Sequence, residues 1–254
     1  MSRRRRLYSG KSSYGSYEVV DTIYSGRRAR LLYGDKNTPQ SGVALDDEGE
    51  LLFDYNQRFL EMIESAQPKK ILVIGGGVLM LPVAVYDRFA DMKIDVVEID
   101  PLLIQLAHDF FRVPTENRFQ IFTGDGRAFL EQTTGQYDMI IIDAFHGFTT
   151  PIHLLEHTAA VLYQQHLTES GVVTINFISQ FIGRRQQLAH EMMATFLEVF
   201  PACELYQADP HQAKGDEQNL LLVAGTQSIH FDYLQSHSVS QLMMWPNQPP
   251  QLHS

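Results

Sequence analysis

The run Ile71-Leu72-Val73-Ile74, followed at once by Gly75-Gly76-Gly77, constrains this chain more than any other feature. Four consecutive aliphatic residues read as a strand buried on both faces, the signature of a parallel sheet covered by helices. Three glycines then let the backbone turn sharply and let a ligand approach it closely. The residues from Leu79 to Phe89 read as a helix, whose first turn would offer free N–H groups at the strand end.

The same texture recurs downstream. Residues 94–100 read as a second strand, with Pro101 opening the next helix. Phe119 to Phe122 is a third strand ending at Gly124-Asp125-Gly126, and Arg127 to Gln132 a short helix. Tyr137 to Asp143 is a fourth strand and Gly171 to Phe177 a fifth. Helices are expected over 154–162 and 186–200, and a closing strand pair over 202–207 and 220–225. Strands alternating with helices predict an α/β fold with a doubly wound, mostly parallel sheet.

Before this region the β-prone pieces 17–20, 29–33, 43–45 and 51–53 predict a small antiparallel β unit, and 55–66 a helix. The expected organisation is a β unit over 1–60, a cofactor-binding catalytic domain over 61–235 and a loose tail over 236–254. The run Arg3 to Arg6 reads as a solvated, frayed terminus.

A formal net charge of -10 weighs against nucleic-acid phosphates as partners. The single cysteine, Cys203, excludes an internal disulfide framework. No apolar stretch is long enough to span a membrane, and no apolar run follows the arginines, so a cytoplasmic location is expected.

Ligands of doubly wound sheets sit at the carboxyl ends of the strands. Here those ends carry three glycines, then Glu98, then Asp125 and Gly126, then Asp143. The dinucleotide pattern G-x-G-x-x-G is incomplete, because its third glycine position is Met80. Glu98 lies where a carboxylate can accept hydrogen bonds from ribose hydroxyls. Asp125 can accept from an adenine amino group, or cap the following helix. Asp143, at the mouth of an apolar strand, can take a proton from an attacking amine or hydroxyl, or hold a cationic amine. His153, Glu156 and His157 match the string H-x-x-E-H, but the α/β pattern is wrong for that metalloprotease fold and no metal is expected. Met192-Met193 and Met243-Met244 read as packing residues.

Together the segments 71–77, 96–100, 124–126 and 137–143 resemble the spermidine synthase (polyamine aminopropyltransferase) family within the Rossmann-like methyltransferases. The likeness runs from about residue 29 to 225. It implies that Gly75, Gly76, Gly77 and Gly126 line a site for decarboxylated S-adenosylmethionine or S-adenosylmethionine as co-substrate. In it Glu98 would hold ribose, Asp125 adenine, and Asp143 would deprotonate the attacking amine. His146 and Tyr55 are the candidate acceptor contacts. A small-molecule amine partner and a homodimer or tetramer follow from the same likeness. The chain departs from the pattern at Val78, where the family carries an Asp facing the amino group of the decarboxylated donor. It departs again at His146, where the family has a second Asp, and over 209–214. Three readings result: an amine-alkylating, aminopropyltransferase-like enzyme whose acceptor need not be putrescine; a methyltransferase using ordinary S-adenosylmethionine on a small molecule; and a non-catalytic nucleoside-binding homologue.

Overall fold

The computed structural model describes residues 4–35, 38–46, 50–184 and 186–227. The tail expected over 236–254, with Met243 and Met244, lies outside them, as does Arg3.

Four strands, β1 (Arg5–Lys11), β2 (Ser16–Tyr24), β3 (Arg27–Tyr33) and β4 (Pro39–Ala44), form an antiparallel meander in sequence order. The larger sheet is built from β5 (Lys70–Gly75), β6 (Lys93–Glu98), β7 (Phe119–Thr123), β8 (Tyr137–Asp143), β9 (Leu167–Ser179), β10 (Ala202–Gln207) and β11 (Gln218–Gly225). Its order is β10-β11-β9-β8-β5-β6-β7, with β5 to β9 mutually parallel, β11 antiparallel to β9, and β10 antiparallel to β11 and so running with the rest. The chain winds outward from β5 to β7, then crosses back to place β8 on the other side of β5. That reversal opens a crevice at the carboxyl ends of β5 and β8.

The strands are apolar on both faces because both faces are covered. Ile71 and Val73 pack with α1 (Asp54–Ala66), α2 (Met80–Arg88) and α3 (Pro101–Phe110) on one side. Leu72 and Ile74 pack with α4 (Gly126–Gln132), α5 (His157–His166) and α6 (Gln187–Leu197) on the other. Met192 and Met193 are core residues of that second layer. Val19 and Leu32 of the antiparallel meander join the first layer, so the small sheet shares its core with the large one.

Three local expectations are corrected. The arginine run is not frayed over its described part: Arg5 opens β1 and pairs with Asp21, and Arg4 and Arg6 reach Glu18 at 3.2 and 2.9 Å. Residues 51–53 are not a strand. Leu51 makes one bridge to Val43, and its carbonyl accepts from the Gln57 side chain at 2.9 Å as α1 begins. The helix expected over 154–162 is two pieces: Ile152–Leu154 is a single 3-10 turn, Glu156 is extended, and α5 starts at His157.

Candidate active site

A cavity of about 810 Å³ lies at the carboxyl ends of β5, β6, β7 and β8. All nine sequence-predicted site residues line it. One wall is the turn after β5. Gly75, Gly76 and Gly77 have φ of 86°, 104° and 63°, a left-handed path that side chains rarely adopt. A Cβ on Gly75 would stand 2.6 Å from the Asp143 carbonyl oxygen, so glycine is what allows the ends of β5 and β8 to meet. The Gly76 N–H donates to that same carbonyl at 3.0 Å. Gly126 has a packing reason as well, since a Cβ there would come within 2.2 Å of Ile74 Cγ2.

The second wall is the end of β6. Glu98 is buried, and its carboxylate accepts from the Asp100 N–H at 2.9 Å. Burial pushes its carboxyl up from 4.5 to about 7; hydrogen bonds from the Asp100 and Ile99 amides oppose the rise, and the charges of Asp100 and Asp143 add to it. Asp100 caps α3 through the Leu102 N–H and also accepts from Ser12 Oγ at 2.5 Å. That contact brings the β1–β2 turn down over the cavity.

Asp125 caps α4, with Oδ1 accepting from the Ala128 N–H at 3.0 Å, and it also faces the cavity. Its other oxygen meets His153 Nε2 at 2.9 Å. Burial alone would raise its carboxyl, but the Ala128 amide and His153 hold it below the usual range. The H-x-x-E-H string is dispersed. His153 turns to Asp125, Glu156 to Arg127 and Thr158, and His157 to Glu198.

Asp143 closes β8 and is 7% exposed. Burial pushes its carboxyl up from 3.8 to about 7, partly offset by the hydrogen bond from Asn176 Nδ2 at 2.9 Å. Tyr55 of α1 reaches this end of the cavity, and burial together with the Asp143 charge holds its phenol well above its ordinary value. His146 lies on the exposed 146–149 turn, where its N–H donates to the Thr149 carbonyl at 2.9 Å. Val78, where the resemblance leads one to expect a carboxylate in the site, is fully buried in the core and does not line the cavity.

Sequence reasoning missed Asn176, Asn219 and the site role of His153. Asn176 carried a signal, a polar residue inside an apolar strand, Ile175-Asn176-Phe177, whereas Asn219 follows Gln218 at the polar start of its strand and carried none.

The arrangement supplies a glycine turn, two carboxylates, Glu98 and Asp125, at successive strand ends, and in Asp143 a buried carboxyl pushed up to about 7 by burial. Comparisons with known proteins place the chain in a family. A polyamine aminopropyltransferase of Vibrio vulnificus is 32% identical over 142 residues, 55% of this chain and 46% of that protein, so the chain spans about half the length of this relative. A probable spermidine synthase of Corynebacterium glutamicum superposes with a TM-score of 0.78 at 23% identity, over 90% of this chain and 83% of that one. Human methyltransferase-like protein 13 superposes at 0.56 with 22% identity, over 70% of this chain and 83% of that one. At these identities the two structures establish a shared fold of the Rossmann-like methyltransferase type. The spermine/spermidine synthase domain matches residues 52–211, more than half of the 254. The chain therefore belongs to the spermine/spermidine synthase family, whose named relative here is a transferase.

Proposed function

We propose that this chain transfers an alkyl group, in the first instance aminopropyl, from a decarboxylated S-adenosylmethionine-type sulfonium to a small amine. The observation that carries the reading is Asp143: a buried carboxyl, pushed up to about 7 by its burial, on the same cavity as the glycine turn, Glu98 and Asp125. A sulfonium donor supplies an activated carbon and leaves as a neutral thioether, so the protein has to bind, orient and manage one proton.

Each residue then has a task. The turn at Gly75 to Gly77 lets the donor lie against the backbone. Glu98 accepts from ribose hydroxyls, and Asp125 accepts from the adenine amino group. Asp143 takes the proton that the amine nitrogen gives up as its lone pair forms the new C–N bond and the C–S pair returns to sulfur. A group with its pKa near the working pH suits that exchange. Holding both reactants at the ends of β5 and β8 supplies orientation. Tyr55 and His146 border the acceptor. The acidic net charge of -10 suits a cationic amine rather than a polyanion. No helix among the described residues is long and apolar enough to cross a membrane. A cytoplasmic location and a homo-oligomeric assembly remain part of this reading.

A second reading is favoured by Val78. With that side chain apolar and in the core, position 78 supplies no carboxylate to repel the carboxyl group of ordinary S-adenosylmethionine. Methyl transfer to a small molecule is the alternative on the same site.

Calorimetric titration with decarboxylated S-adenosylmethionine, S-adenosylmethionine and methylthioadenosine separates the two. Tighter binding of the decarboxylated donor is expected. Tighter binding of S-adenosylmethionine would move the assignment to methyl transfer, and failure of all three to bind would remove the donor reading itself.

A further inference from the structure

Three strands that are far apart in sequence bring three polar side chains into line. Asn219 Nδ2 on β11 donates to Asn176 Oδ1 on β9 at 2.8 Å, and Asn176 Nδ2 donates to Asp143 Oδ1 on β8 at 2.9 Å. The sheet register explains the alignment. Ile142 pairs with Ile175, which sets Asp143 beside Asn176. Leu221 pairs with Asn176, which sets Asn219 on the diagonal two residues away, within side-chain reach. Thr150, in the loop after β8, donates to the Asn176 carbonyl at 3.1 Å and fixes the same residue from its main chain.

We propose that Asn219 is a positioning residue, which holds the amino end of the Asn176 side chain against the Asp143 carboxylate. This rests on the role given above to Asp143.

An asparagine amide is nearly symmetric in shape and opposite in chemistry at its two ends. An ionised carboxylate only accepts, so Asn176 serves Asp143 with one orientation and opposes it with the other. The donor from Asn219 occupies the Asn176 carbonyl oxygen and selects the serving orientation. Hydrogen bonds in such a chain polarise one another, so the donor at 219 also strengthens the bond at 143. Asn176 is wholly buried, and buried polar groups are costly unless they are paired. An aliphatic pair would fill the same sheet positions without that cost; the amides therefore need a reason to be there, and orientation of Asp143 supplies one. Asn219 touches no proposed reacting atom and acts through Asn176. The other ionisable groups around Asp143 are Glu98 from β6 and Tyr55 from α1, each within electrostatic reach of it, and His146 on the loop that follows it.

The test reads Asp143 directly. Protein labelled with 13C at the aspartate carboxyl carbons is titrated by NMR, with the Asp143 signal identified as the one missing in Asp143→Asn. Asn219→Leu, similar in shape but without a donor, is expected to raise the Asp143 midpoint by about one unit. Asn219→Asp, an acceptor only and negatively charged once ionised, is expected to raise it further, and Asn219→Gln, which keeps the donor, to leave it within a few tenths. Should Asn219→Leu fail to fold, Asn219→Ala is titrated in its place and read the same way. In turnover of decarboxylated S-adenosylmethionine with putrescine as probe, the acid limb of kcat moves with the midpoint while the donor KM stays put. An Asp143 midpoint in Asn219→Leu equal to that of the unmodified protein overturns the proposal. Wild-type transfer by Asp143→Asn would instead remove the proton-acceptor role of Asp143 while leaving the titration result standing.

Discussion

His153 Nε2 lies 2.9 Å from Asp125 Oδ2, while Asp125 Oδ1 caps α4 through the Ala128 amide. One carboxylate thus serves a helix end and faces the cavity at the same time. The two services separate by substitution. Asp125→Ala loses the cap, which costs about 1 kcal/mol, and an apparent melting temperature lower by about 2–4 °C is expected for a chain of this size. Asp125→Asn keeps a capping oxygen and should melt close to the unmodified protein. Both should bind methylthioadenosine at least tenfold more weakly by calorimetry. Full affinity in Asp125→Asn would assign this residue to the helix alone.

Stability should depend on the Asp143 proton in a defined direction. Its carboxyl is raised from 3.8 to about 7, so the folded state keeps a proton that the unfolded chain has released. The corresponding stability is present below about pH 4 and is lost as pH rises toward 7. A pKa unit is worth about 1.4 kcal/mol, which sets a ceiling of about 4 kcal/mol for the full displacement. Asp143→Asn removes the charge and still accepts from Asn176. Denaturant melts should show it more stable than the unmodified protein at pH 8 and nearly equal at pH 4. Equal stability at both values would mean that Asp143 is not strained by burial.

The glycines at the strand ends should differ in what alanine does. Gly75→Ala meets the backbone of Asp143 and Ala144 at 2.6 and 2.8 Å and takes a φ of 86°. Nothing there can yield without moving the end of β8, so loss of transfer together with a stability loss of about 2–3 kcal/mol is expected. Gly126→Ala meets the side chain of Ile74 at 2.2 Å. Repacking of Ile74 should relieve most of it, at about 1–2 kcal/mol. Urea denaturation of the two variants, compared side by side, tests the order.

Val78→Asp should not restore a carboxylate to the site. The position is fully buried among apolar side chains, so the new group would be an unpaired charge in the core. Destabilisation above about 3 kcal/mol is expected, read as a fall of several degrees in melting temperature, with no gain in preference for the decarboxylated donor. A well-folded variant with such a gain would show that the turn can re-aim this residue.

What could be read in the sequence follows from where the information sits. The run from Ile71 to Gly77 is legible because burial on both faces and a tight turn each leave a local mark. Glu98, Asp125 and Asp143 are legible because the carboxyl end of a parallel strand is a fixed address. β1 is not, since four arginines look like a solvated end until Glu18 on the neighbouring strand is there to meet them. Asn176 and Asn219 are invisible as a pair for a different reason. They are 43 residues apart, and only the order β11-β9-β8 makes them neighbours of each other and of Asp143. His153 reads in the sequence only as part of the H-x-x-E-H string, whereas the chain there is a 3-10 turn in which it meets Asp125.

The bond from Ser12 to Asp100 has a consequence for how this molecule can be cut or recombined. Asp100 begins the helix next to Glu98, and Ser12 belongs to the first hairpin, 88 residues earlier. One wall of the cleft is therefore borrowed from the other sheet. A chain trimmed to its parallel core would keep the strand-end carboxylates yet leave the Glu98 and Asp100 end of the cleft open to water. Swapping the first four strands between relatives would transplant part of the cleft with them.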